Sequence, residues 1–146
     1  MNIVQQIINA IINVHPWHIM FVHFPIGLTG AAFLFIVVGR WRRNDSLEHA
    51  AFFVITLAAV STVVAGVTGM RDNLVRFDGA APFVPVKIFL ATTLLVLTTT
   101  LAVTRWRRRE VLWSPKTTVL YLAGFAVSFI LAITLGFIGG VILYGV

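Results

Sequence analysis

Four apolar stretches, at about 16–39, 50–70, 86–104 and 117–144, dominate this chain, and the short segments between them hold nearly all of its charge. A helix rises 1.5 Å per residue, so about 20 apolar residues cross roughly 30 Å of hydrocarbon. In lipid every backbone N–H and C=O must be satisfied within the protein. A helix does this inside one segment, and a barrel strand would be about half as long as these runs. With 59% hydrophobic and 11% charged residues, a water-soluble domain of 146 residues could not cover its surface. The expected fold is therefore all-α: a transmembrane four-helix bundle over residues 15–146, preceded by an N-terminal interfacial amphipathic helix over 1–14.

That first segment, MNIVQQIINAIINV, places Asn2, Gln5, Gln6, Asn9 and Asn13 on one arc and isoleucines and valines on the rest. It lacks the basic opening of a secretory signal and reads as a membrane anchor or a docking helix. The net charge of +6 sits at helix ends, so it speaks of orientation and not of nucleic acid. Arg40, Arg42, Arg43, Arg105, Arg107, Arg108, Arg109 and Lys116 fall on one side; Arg71, Arg76 and Lys87 fall on the other. The first group is expected in the cytoplasm of a bacterial inner membrane, with both termini on the opposite side. Cysteine is absent, which excludes disulfides, thiolate catalysis and iron–sulfur ligation.

Polar groups entering lipid are expensive, so they mark candidate sites. His15, His18 and His23 cluster at the mouth of the first span, and His23 precedes Pro25, whose ring predicts a kink that frees the Phe21 carbonyl. These three histidines and Lys87 are the candidate cofactor-binding residues; Arg71 and Asp72 form a polar cluster on the same side. His23 can serve as a haem ligand, a quinone hydrogen-bond partner, a proton relay or a structural histidine bonded to the Phe21 carbonyl or to a neighbouring helix. A bis-histidine haem within the chain is disfavoured, because His18 and His23 share one helix about 140° apart and His49 lies at the other face. His15-x-x-His18 with Asp72 supplies too few ligands for a metal site, and none is expected. His49, beside Glu48, reads as a solvated loop residue.

Two patterns concern packing. Gly124, Ser128, Ala132, Gly136 and Gly140 recur every four residues in the last span, a small-residue ridge on which another helix can approach closely, from this bundle or from another subunit. The threonines of the third span suggest hydrogen bonding between helices. A weaker pattern is an internal repeat: Arg40-Trp41-Arg42-Arg43 against Arg105-Trp106-Arg107-Arg108, and Gly66-x-x-Gly69 against Gly136-x-x-Gly139.

His15-Pro16 followed by Val22-His23-Phe24-Pro25-Ile26-Gly27-Leu28 resembles the opening of a widespread family of prokaryotic four-helix membrane proteins of unknown function. Gly69-Met70-Arg71-Asp72 is similar to its glycine–aspartate motif, and Gly139-Gly140-Val141-Ile142-Leu143-Tyr144 to its ending. The resemblance implies a four-helix bundle and, since some relatives are joined to or encoded beside redox modules, membrane electron transfer. Lys87 stands where relatives often carry a histidine, and Tyr144 is followed by Gly145-Val146 where many continue into histidine–glycine. The expected function is a non-catalytic integral subunit of a redox or energy-converting membrane complex, packing through the ridge and the N-terminal helix against other subunits or itself. The alternatives are a haem b- or quinone-binding electron-transfer protein using His23, and a small solute or proton conduit.

Overall fold

The computed structural model describes residues 2–10 and 17–144, and every regular element among them is helical. A short helix α1 (Ile3–Asn9), exposed along its whole length, precedes four long ones: α2 (Trp17–Arg42), α3 (Asp45–Phe77), α4 (Val84–Arg107) and α5 (Thr118–Tyr144). All four long helices have the length and apolarity of membrane spans. Only 17–28% of each apolar stretch is buried inside the protein, so most of each helix presents side chains to lipid. The chain is an integral membrane protein with four candidate spans.

The helices overrun the expected boundaries for local reasons. Asn44 caps α3, its side chain accepting from the Leu47 N–H at 3.1 Å, and Asp45 and Glu48 in the first turn suit the positive end of the helix dipole. α3 then continues through Arg71 and Asp72 to Phe77, where Asp78 (φ 50°) and Gly79 (φ 80°) turn left-handed. The connection expected over 71–85 is thus only a short loop. Pro85 sits in the first turn of α4, where a missing N–H costs nothing. α2 runs unbroken through Pro25, and the Thr29 hydroxyl donates to the Pro25 carbonyl at 2.7 Å.

The long helices form a ring in chain order, α2 on α3, α3 on α4, α4 on α5 and α5 back on α2, with the α2–α3 hairpin the most closely joined. Their inward faces follow the alternating three–four spacing of left-handed bundles. On α3 the buried positions are Glu48, Ala51, Ile55, Ala58, Thr62, Ala65 and Asp72; on α2 they are Pro25, Thr29, Ala32, Ile36 and Gly39. On α4, Leu94, Thr98, Leu101 and Arg105 continue the spacing that begins at Lys87. Lipid tails are as apolar as leucine, so these seams hold by close contact of small side chains and not by exclusion of water. Gly39 shows how close: a Cβ there would lie 3.3 Å from the backbone nitrogen of Glu48.

The α5 ridge belongs to this interior. A Cβ on Gly124 would sit 2.7 Å from Leu101 of α4, one on Gly136 would sit 2.6 Å from Ile26 of α2, and Ser128 and Ala132 are buried between them. From Gly124 to Gly136 the ridge packs within the bundle, one of the two partners the sequence left open, while no atom lies within 4 Å of a Cβ added at Gly140. The threonines also differ from expectation. Thr93, Thr98 and Thr100 donate to carbonyls one turn back on their own helix, which satisfies a hydroxyl in lipid without a second helix.

The dense core, including Ile36, Ile55, Leu101, Leu112, Tyr121 and Phe125, lies at the end that carries the arginine clusters. The opposite end, where α2 begins at Trp17 and His18, is hollow.

Candidate functional site

The hollow is a cavity of ≈430 Å³ lined by all four long helices, within the range of about 300–1,000 Å³ usual for ligand sites. Small residues create it. Gly66 and Gly69 of α3 and Gly136, Gly139 and Gly140 of α5 stand where larger side chains would fill the space. Both members of the glycine repeat thus line one void. Its walls are mostly aliphatic, with His18, His23, Thr62, Asp72, Asn73, Arg76 and Lys87 as the polar groups.

His18 is held from two directions. Its backbone N–H, one of the donors left unpaired in the first turn of α2, bonds to Oδ2 of Asp72 at 3.0 Å. Asp72 therefore caps α2 from the neighbouring helix, its carboxylate facing the positive end of the α2 dipole. The other carboxylate oxygen accepts from Nη1 of Arg71 at 3.0 Å. The His18 ring lies against Gly69, where a Cβ would come within 3.0 Å of Nδ1. Nδ1 is 2.9 Å from the Ala65 carbonyl, and a carbonyl only accepts, so Nδ1 carries the proton. In the neutral ring Nε2 then bears the lone pair, and it has no partner among the described residues.

His23 is placed differently. It is exposed, and its Nδ1 donates to the Ile19 carbonyl of its own helix at 2.6 Å. The structural alternative, a bond to the Phe21 carbonyl, is corrected by one turn geometry: the side chain reaches back four residues, not two. Lys87 enters from the first turns of α4, half-buried, with its ammonium group unpaired among the described residues and near the wall at Gly139, whose Cβ would be 3.9 Å from Nζ. Arg71 pairs with Asp72 and does not itself line the cavity. His15 lies outside the described residues. For haem, the arrangement places both described imidazoles of this end on α2, and the remaining described histidine, His49, sits at the far end, bonded to the Asp45 carbonyl. Among the described residues no three His, Cys, Asp or Glu side chains group as metal ligands.

At the arginine end one member of the orientation set has another role. Arg105 is buried and forms a two-pronged ion pair with buried Glu48, Nε to Oε1 and Nη2 to Oε2, the latter at 2.7 Å. Its guanidinium also lies 5.8 Å from the centre of the Phe52 ring. Arg105 thus joins α3 to α4 inside the bundle. Arg40 is half-buried over Trp113 at 6.0 Å, whereas Arg42, Arg43, Arg107, Arg108 and Arg109 are exposed. Glu48 went unnoticed in the sequence because it stands beside Asp45 at a helix start, where acidic residues normally face water. The signal was its place at the head of the α3 seam. Arg105 carried a matching one, standing 18 residues, five helical turns, after Lys87 on the same face of α4.

Removing the interhelix cap should be measurable. Asp72→Ala is expected to destabilise the protein by about 1–2 kcal/mol, the usual range for losing a helix cap, while Asp72→Asn retains an acceptor and loses less. Denaturation of the detergent-solubilised variants, followed by tryptophan fluorescence, reads this. Equal loss in both would mean that the carboxylate's charge matters and its capping oxygen does not.

No curated protein and no solved structure matches this chain. A family model described as "Predicted membrane protein (DUF2231)" matches residues 14–145. The three segments that carry the resemblance, around His23, Gly69–Asp72 and Gly139–Gly140, all contribute walls of the one cavity. The chain accordingly belongs to this family of membrane proteins, its matched region taking in all four spans.

Proposed function

We propose that this chain is a binding subunit, not itself an enzyme, of a redox membrane complex, and that its cavity holds the headgroup of a quinone-type electron carrier. The observation that carries this reading is the presence of two unsatisfied polar atoms, His18 Nε2 and Lys87 Nζ, in the walls of a mostly aliphatic cavity in a membrane protein. A quinol is a flat apolar ring with a hydroxyl at each end. One hydroxyl donates to the lone pair of His18 Nε2, and the opposite oxygen accepts from the Lys87 ammonium. The glycine-lined walls take the ring, and its tail leaves between helices into lipid. Lys87 thereby supplies the polar contact at the position where relatives often place a histidine. On the positive-inside distribution, the arginine end faces the cytoplasm of a prokaryotic inner membrane and the cavity faces the outer compartment.

The roles shift relative to the sequence expectation centred on His23. His18 is the rigidly held imidazole, fixed by α3 at both backbone and ring. Equilibrium binding of a decyl-tailed benzoquinol to the purified protein in detergent tests the reading. Wild type should bind saturably, and His18→Ala and Lys87→Met should each weaken binding roughly tenfold or more, the usual cost of a hydrogen bond involving a charged or buried partner. His49→Ala should bind as wild type does. Absence of saturable binding, or unchanged affinity in both cavity variants, would overturn the proposal.

A further inference from the structure

The repeated Arg-Trp-Arg-Arg segments are not used by the cavity, and they end α2 and α4 in the same manner. In each, the first arginine turns inward: Arg40 over Trp113, Arg105 onto Glu48. The tryptophan then points outward, Trp41 80% and Trp106 74% exposed. The arginines that follow are exposed and have no ion-pair partner among the described residues. An inward first residue fixes the register of the helix end, so the tryptophan meets the headgroup level and the following guanidiniums lie just beyond it.

The two ends differ in one respect. After Arg108 the chain forms a turn tied by its own hydrogen bonds, Val111 N–H to the Arg108 carbonyl at 3.1 Å and Ser114 N–H to the Glu110 carbonyl at 3.0 Å. The Thr118 hydroxyl donates to the Leu112 carbonyl at 2.7 Å. Val111 and Leu112 anchor the turn in the core. Outside them lies a cleft of ≈450 Å³ lined by Arg108, Arg109, Ser114 and Thr117, with Glu110 at one wall. Two unpaired guanidiniums on a tethered turn, shortly after an exposed tryptophan in the chain, match a phosphodiester whose acyl chains lie alongside the helix.

We propose that the cleft at the α4–α5 turn is a binding site for the phosphodiester headgroup of an anionic phospholipid. The guanidiniums of Arg108 and Arg109 contact the phosphate oxygens, Ser114 adds a hydroxyl donor, and the Trp106 ring covers the glycerol region. Glu110 at the wall disfavours a second free anion and suits a headgroup carrying hydroxyls. The arginines at the α2 end lie outside this cleft and contribute only diffuse attraction.

Native mass spectrometry of the purified protein with equimolar phosphatidylglycerol and phosphatidylcholine tests this. Phosphatidylglycerol should be retained preferentially, and Arg108→Gln/Arg109→Gln should lower its apparent affinity roughly thirtyfold, each arginine near a membrane surface contributing about fivefold. Arg42→Gln/Arg43→Gln, outside the cleft, should lower it by a clearly smaller factor. Lysine replacements at 108 and 109 should restore part of the binding, and an unchanged denaturation midpoint shows that these surface changes leave the fold intact. Equal retention of the two lipids, equal effects of the two double variants, or displacement of the lipid by millimolar inorganic phosphate would overturn the proposal.

Discussion

Glu48→Ala should be the most damaging single substitution in this protein, costing about 3–5 kcal/mol of stability, the range for breaking one side of a buried ion pair. The Glu48 carboxylate is 1% exposed and Arg105 6%, so water cannot replace the lost partner. The guanidinium would remain inside the α3–α4 contact without its partner carboxylate, beside the Phe52 ring and near Tyr121. The pair also joins the two hairpins, since Glu48 opens α3 and Arg105 ends α4. Glu48→Gln keeps the acceptor oxygen and should lose less. The double replacement Glu48→Leu/Arg105→Met removes both charges and should recover most of the stability, because a well-packed apolar pair of similar volume is often neutral or better. Titration with a denaturing detergent, monitored by tryptophan fluorescence, gives all three values, and the single replacements Glu48→Leu and Arg105→Met complete the cycle that yields the coupling energy between the two sites. A Glu48→Ala protein within about 0.5 kcal/mol of wild type, the range of ordinary surface changes, would show that the pair contributes nothing to the fold.

The four spans were legible because lipid imposes a simple rule: a long uncharged run must be a helix. The helix ends were less legible, since Asn44 as a cap and Asp78 as a left-handed stop act through backbone geometry and not through hydropathy. The histidine end was visible as a cost, three imidazoles and a lysine near lipid, but not as an arrangement. Asp72 looked like the anionic partner of a cation, and it is that for Arg71; its second role, capping a helix 54 residues away in the chain, needs the α2–α3 pairing to be known. His23 drew attention by its proline, whereas His18 matters more because Gly69 leaves room for its ring and Ala65 fixes its proton. The arginine clusters stand together at one end of the bundle, but their surroundings were not legible, because Arg105 reads like its neighbours in sequence and differs in facing Glu48. The cavity itself had no signature beyond its glycines, which a packing ridge explains equally well.

The ridge separates into two functions, and leucine substitutions along it should separate them. Gly124→Leu is expected to cost about 3 kcal/mol, the upper part of the range for overpacking. A Cβ alone would already sit 2.7 Å from a methyl of Leu101, which is buried among Ala102, Tyr121 and Phe125 and has nowhere to move. α4 and α5 must then separate, and in lipid that loses the close contacts holding them. Gly136→Leu meets only the terminal methyl of Ile26, at 2.6 Å from its Cβ, and Ile26 borders the cavity. Ile26 can turn aside and the new side chain can occupy the void, so the stability cost should fall nearer 1 kcal/mol while quinol binding is lost. At Gly27 no atom lies within 4 Å of an added Cβ, so Gly27→Ala should stabilise the helix by roughly 0.5–1 kcal/mol. Denaturation midpoints and ligand affinity measured on the same preparations distinguish these outcomes. If Gly124→Leu folds as well as wild type while Gly27→Ala does not, the ridge faces outward after all, and the ring order of helices derived from its contacts fails with it.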